Sequence, residues 1–283
     1  MFELGIITDE VTQSLDEAIE FATKHQLSFL EIRSLNDKPF HKLSIDEINN
    51  IKEKCEMAGL KVAAISSPTF KCDYDNEEDI LANIEIFRTC AKYAKILGAK
   101  IIRAFDFWNA GVETSKRAEK FLPIIEICKE YDVICALEYD PSVHSSTPAK
   151  IAETLKAISS PYVKALYDPG NGIFSEPENK PFPDGYNHLK ENIVHIHIKD
   201  AIIEEGKAVA VKVGTGLVDY ISLFKELKNC GYSGKIALET HYRLTSELSE
   251  EQLNRPGGAA FSDGGRPASE ESIIALKALI NKI

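Results

Sequence analysis

The chain has 283 residues and a mass of 31.4 kDa, and 44% of its residues are hydrophobic, enough to bury a large core. A net charge of −11 and a pI near 5.2 are the opposite of the basic stripe that duplex binding needs, so no nucleic acid is expected as a partner. The 6 cysteines include no CxxC pair, and no apolar run reaches the ~18 residues of a membrane span, which predicts a soluble, cytoplasmic protein with reduced thiols.

Phe2-Glu-Leu-Gly-Ile-Ile-Thr8 reads as a first strand, with Asp9 and Glu10 at its C-terminal end. Helical spacing of Leu15, Ala18, Ile19 and Ala22 predicts a helix over 14–25. Strand two follows over 28–33, with Leu30 and Ile32 on one face and Phe29, Glu31 and Arg33 on the other. Ser44 and Glu47 form a capping box that opens a helix ending at Gly59. Strand three spans 61–66, a long helix 77–97, and strand four 100–105. The unit then repeats: helix 115–131, strand five 133–138, helix 147–158, strand six 163–168. A Pro-rich passage with Pro177, Pro181 and Pro183 leads through a weak helix near 187–191 to strand seven. Helix 219–230, strand eight at 235–239 and a closing helix over 269–280 complete the chain. Eight strand–helix units without a hairpin core predict a single (β/α)8 TIM barrel over residues 1–283. An open doubly wound sheet is the alternative, disfavoured because no Gly-rich nucleotide turn follows strand one.

Strand seven, Ile193-Val-His-Ile-His-Ile-Lys-Asp200, alternates strictly. Val194, Ile196 and Ile198 form an apolar face, whereas His195, His197 and Lys199 point the other way, where an interior tolerates them only with partners or a ligand. Three further strands end in Glu138, Asp168 and Glu239. Active sites of barrels lie at the C-terminal strand ends, and neighbouring strands are under ~5 Å apart, so the four ends can converge on one ion. Three carboxylates and an imidazole suit Mn²⁺ or Mg²⁺, and admit Co²⁺ or Zn²⁺.

With these residues in place the chain resembles the xylose isomerase-like barrel superfamily, in its sugar phosphate isomerase/epimerase branch. The resemblance runs from Gly5-Ile-Ile-Thr-Asp9 through Leu97-Gly-Ala-Lys-Ile-Ile-Arg103, Leu137-Glu138, Asp168-Pro-Gly-Asn171 and His195-Ile-His-Ile-Lys-Asp200, then to Gly214-Thr-Gly216 and Ala237-Leu-Glu239. It implies one divalent metal held by Glu138, Asp168, His197 and Glu239. The superfamily includes ketose epimerases, inosose dehydratases, dehydroshikimate dehydratases and abasic-site endonucleases. Three departures stand out. Asp140-Pro141 follows Glu138, with the next histidine at His144; Asn171 stands where ketose epimerases often carry a histidine; and Ser66-Ser-Pro68 and Phe105-Asp-Phe-Trp108 lack the histidines of the endonuclease branch.

The expected activity is metal-dependent isomerisation or epimerisation of a sugar, sugar phosphate or related polyol through an ene-diolate, with Glu138 and Glu239 as general base and acid. Dehydration of a cyclic polyhydroxy ketone such as inosose or dehydroshikimate is the alternative, and a non-catalytic sugar-binding barrel a third reading. The expected partner is a small carbohydrate-like molecule, and a homodimer is allowed. Arg103 and Lys199 either hold a substrate oxygen or phosphate or pair with Glu31 and the metal carboxylates. His195 is read as a support or core histidine ahead of a ligand, and is counted with Glu31 and Asn171 near substrate. Trp108 and Phe107 either wall a pocket or pack against helices. Gly214-Thr-Gly216 resembles a phosphate cradle but reads better as a tight turn. Residues 255–266 look too polar and Gly-rich to pack, which suggests a mobile lid or a disordered loop.

Overall fold

The computed structural model describes residues 2–108, 111–176, 180–254 and 256–283. Among these, eight parallel strands close into a barrel in sequence order: Glu3–Ile7, Phe29–Ile32, Lys61–Ile65, Ile101–Ala104, Ile134–Glu138, Val163–Tyr167, Ile193–Ile198 and Lys235–Leu238. The eighth pairs with the first, Gly5 opposite Ala237, which removes every free edge. The expected (β/α)8 barrel is therefore present. Outward strand residues such as Leu30, Ile102, Leu137, Ile196 and Leu238 are fully buried under the helices and form the main core. Ile7, Phe29, Ala63 and Ala237 form a separate small cluster that fills the barrel interior. Gly5 is required there, because a Cβ would stand 2.3 Å from the Phe29 ring. The polar strand ends lie beyond this plug, so an apolar floor seals the site from below.

Helix starts follow local chemistry. Ser14 Oγ accepts the Glu17 amide at 3.4 Å ahead of helix Leu15–Lys24, and Ser44 and Glu47 complete the capping box of helix Ile45–Met57. Asn76 caps Glu77–Leu97 and Thr147 caps Pro148–Ile158. The helix expected over 115–131 is two helices, Thr114–Glu119 and Leu122–Tyr131. Pro123 is the cause: it lacks an N–H and clashes with the carbonyl four residues back, so it is tolerated only in the first turn of a new helix. The closing helix begins earlier than expected, at Gly265, with Pro267 in its first turn.

Two hairpins that the strand–helix pattern did not predict rise from the barrel mouth. Ser34–Leu35 pairs with Lys38–Pro39, and Asp200–Glu204 with Lys207–Val211. Both turn on two residues of positive φ, Asn36-Asp37 and Glu205-Gly206, the geometry of a tight hairpin. Helix Pro169–Ser175 after strand six was also unexpected. No helix among the described residues is long and apolar enough to cross a membrane.

Candidate metal centre and the cavity above it

Glu138 ends strand five, Asp168 follows strand six, His197 lies within strand seven and Glu239 follows strand eight. Because these strands are hydrogen-bonded neighbours, the four side chains converge, each offering one ligand atom within 4.8 Å of the others, and all are buried. Asp168 divides its oxygens. Oδ1 accepts the Asn171 amide at 3.1 Å and caps helix Pro169–Ser175, while Oδ2 faces the cluster. The Lys199 ammonium is 2.9 Å from Oδ2, yet no donor is well directed at that oxygen. Gly170 lets helix and lysine approach, since a Cβ there would lie 2.3 Å from Lys199 Cγ.

Cations surround the carboxylates. Lys199 Nζ donates to Glu239 Oε2 at 2.8 Å, Arg33 Nη1 to Glu239 Oε1 at 2.7 Å, and Arg103 Nη1 to Glu138 Oε2 at 3.1 Å. Asn171 Nδ2 donates to Glu138 Oε1 at 3.2 Å and to the Tyr139 carbonyl at 2.8 Å. Burial pushes the Glu239 carboxyl up, but Lys199, His241 and His197 outweigh it and leave Glu239 well below the usual range, hence ionised. Asp168 goes the other way: burial lifts it to about 7 against the pull of Lys199. Burial lowers the His197 imidazole, yet the charges of Glu31, Glu138 and Glu239 override it and raise His197 well above its ordinary value.

This donor set fits a divalent ion. His197 Nδ1 lies 3.3 Å from Glu138 Oε1 and 3.5 Å from Glu239 Oε2, and with Asp168 Oδ2, at which no donor is well directed, they make the mixed oxygen and nitrogen donor set that divalent ions take.

A cavity of about 590 Å³ opens above the cluster. Glu138 and Glu239 reach its surface, whereas Asp168 and His197 lie below it. Of the residues expected near substrate, Asn171, Lys199 and Arg103 line it. Glu31 and His195 do not: both are fully buried beneath the cluster and bonded to each other at 2.6 Å, because their inward strand positions lie one layer lower. Trp108 also stays out of the lining, where its backbone bridges Val143. Phe107 is fully buried and stacked on Phe70 at 4.5 Å, a packing residue.

Sequence reading missed Arg33, Lys71 and His241, all of which line the cavity. The signal for Arg33 was present, since it continues the inward alternation of Phe29 and Glu31 past the end of strand two. His241 carries a positive φ of 47°, and its amide donates to Glu10 Oε2 at 3.0 Å, so this turn became readable only in the fold.

Two loop expectations have clear outcomes. The Gly214-Thr-Gly216 amides face inward: Gly214 and Gly216 donate to Asp200 Oδ2 at 2.9 and 3.0 Å, and Val218 to Oδ1 at 3.2 Å. The would-be anion cradle is filled by the chain's own carboxylate, and the stretch is a tight turn. The lid expected to be too polar to pack is corrected over its described part, 256–266, as Arg255 lies outside the described residues. Phe261 is fully buried, with the Arg33 guanidinium 4.6 Å and the Arg243 guanidinium 5.1 Å from its ring centre. Gly258 donates to Ser34 Oγ at 3.1 Å, and Ser262 Oγ to the Asp9 carbonyl at 2.8 Å. One aromatic anchor and directed backbone bonds hold a segment whose composition looked unable to pack.

An eight-stranded parallel barrel with an acidic, histidine-containing cluster at its C-terminal mouth defines a (β/α)8 barrel with a polar mouth. The chain belongs to the xylose isomerase-like TIM barrel family, whose profile matches residues 14–262. It is 21% identical to an inosose dehydratase of Histophilus somni over 225 residues, 68% of this chain and 74% of that one. It is 26% identical to the L-ribulose-5-phosphate 3-epimerase UlaE of Escherichia coli over 174 residues, 59% of this chain and 58% of that one. An uncharacterized protein of Methanocaldococcus jannaschii is 27% identical over 133 residues; the match spans 46% of this chain and less than half, 44%, of that relative. Among solved structures, an IOLI protein with a binding zinc atom superposes with a TM-score of 0.76 at 19% identity, covering 99% of both chains.

Proposed function

We propose that the protein is a metal-dependent isomerase or epimerase of a sugar-like polyol, acting at the carbon beside a carbonyl. The observation that carries this reading is the pair Glu138 and Glu239, two buried carboxylates that surface together in one cavity above a candidate metal cluster. Glu138, Asp168, His197 and Glu239 would hold the ion, and a bound Mn²⁺, Mg²⁺, Co²⁺ or Zn²⁺ would supply Lewis-acid polarisation of the substrate carbonyl. One carboxylate takes the proton from the neighbouring carbon, and the other, protonated from solvent, returns one on the opposite face. In the reverse direction the two exchange roles. Arg33 and Lys199 orient Glu239, while Arg103 and Asn171 orient Glu138. Phe105, Phe174 and Pro141 wall the cavity and exclude water from the reacting carbon. A small carbohydrate-like molecule is the substrate in this reading, and abasic-site DNA is not.

Turnover of a ketose and polyol-ketone panel in D₂O with added Mn²⁺ tests the proposal. Deuterium should enter the carbon next to the carbonyl; product formed without label would remove the proton-transfer mechanism. The similarity to an inosose dehydratase, which spans 68% of this chain, supports a second reading in which the same carboxylates expel a hydroxyl from a cyclic polyol ketone. Loss of one water from the product distinguishes it.

A further inference from the structure

Glu31 is fully buried and outside the cavity lining. Its carboxylate nevertheless meets three hydrogen-bonding groups. Oε2 lies 2.6 Å from His195 Nε2, and Oε1 lies 3.0 Å from His197 Nε2 and accepts the Ser66 hydroxyl at 2.6 Å. Among the described residues its only ion-pairing partners are these two imidazoles. A buried carboxylate can only accept, so each facing Nε2 carries the hydrogen. His195 agrees: its Nδ1 has no partner, and an orphaned ring lone pair is tolerated where an orphaned N–H is rare. With Nε2 turned down to Glu31, His197 must present Nδ1 upward, where Glu138 Oε1 and Glu239 Oε2 lie at 3.3 and 3.5 Å.

The geometry points to Glu31 as the positioning residue of the centre. It holds His197 in the rotamer and tautomer that leave Nδ1 as the ligand atom, and His195 with Ser66 locks the Glu31 carboxylate in place. The two rings, 5.1 Å apart and nearly perpendicular at 82°, are clamped by one side chain. A hydrogen-bonded carboxylate behind a ligating imidazole fixes its orientation and increases its basicity, and its loss typically weakens metal binding 10–100-fold. This inference rests on the metal-centre reading above.

Glu31→Gln is the direct test, because it keeps the shape and one acceptor but sets an amide NH₂ against an Nε2–H. Donor then faces donor, and one imidazole must rotate or change tautomer. Mn²⁺ and Zn²⁺ affinities measured by chelator competition should fall 10–100-fold, and the visible spectrum of the Co²⁺ form should change. A second measurement needs no variant. Nitrogen-15 NMR of the Zn²⁺-loaded wild type should show His197 bound through Nδ1 with hydrogen retained on Nε2. Affinity within about twofold of wild type with an unchanged Co²⁺ spectrum, or zinc found on Nε2, overturns the role of Glu31. A wild type that takes up no ion removes the metal-centre reading itself, and this inference with it.

Discussion

Arg33 places Nη1 2.7 Å from Glu239 Oε1, joining the ends of strands two and eight across 206 residues of sequence. The same guanidinium donates to Asp9 through Nε at 3.0 Å and to Glu10 through Nη2 at 2.8 Å, and all four side chains are buried. Arg33→Ala leaves Asp9 buried without its cation and strips one of the cations from Glu10 and from Glu239, which keeps Lys199 at 2.8 Å. Breaking such a network costs about 3–5 kcal/mol, so urea denaturation should show a loss of that size. A change under about 1 kcal/mol would mean that the network is dispensable.

Glu138→Gln and Glu239→Gln should each lower turnover by about 10²–10⁴-fold, because an amide keeps a ligand oxygen but cannot take up a proton. Deuterium wash-in should fall in parallel. Activity that persists in both variants would reduce the glutamates to ligands.

Metal binding should stabilise the fold by mass action. Free Mn²⁺ at 100 times its Kd contributes about 2.7 kcal/mol, which for a chain of this size raises Tm by about 4–5 °C. Chelation should reverse the shift, and Asp168→Asn and His197→Ala should abolish it. Equal shifts in wild type and His197→Ala would place the ion elsewhere.

Affinity for the ion should rise with pH. Without metal, the surrounding carboxylates raise His197 well above its ordinary value, and burial lifts Asp168 to about 7, so both hold protons at roughly pH 6. The ion binds the deprotonated forms, so raising the pH removes its competitor, and Kd should fall about tenfold per pH unit for each proton released. The slope should be steeper below about pH 7, where both groups hold a proton that the ion must displace, than above it. Competition titrations between roughly pH 6 and 8 read this directly, and a flat profile would contradict the assigned ligands.

Thiol reactivity should separate Cys230 from the rest. Burial pushes the Cys90 and Cys128 thiols up to about 12 and the Cys72 thiol likewise, whereas Cys230 is exposed. A thiol reagent at roughly pH 8 should label about one cysteine rapidly in the native protein and the remainder only after unfolding. Rapid labelling of Cys90 would show that its helix opens readily.

The order of the eight strands was written in the sequence because each carries its own local signal. Alternation in Ile193–Ile198, the Ser44–Glu47 capping box and the glycines after the helices act over a few residues and need no tertiary context. Glu138, Asp168, His197 and Glu239 were legible for the same reason: each is a polar residue at or near the C-terminal end of its strand. Once a barrel is inferred, such ends have one place to go. Tertiary structure decided what long-range approach controls. It set Glu31 and His195 beneath the centre rather than in the cavity, a difference of one layer that strand alternation cannot express. It brought Arg33 to Glu239 by closing the barrel, turned the Gly214 and Gly216 amides onto Asp200, and packed 256–266 through Phe261. In each case the deciding contact joins residues far apart in the chain or layers stacked in the barrel. A pattern with period 2 or 3.6 fixes which face a side chain occupies, not which partner it meets there.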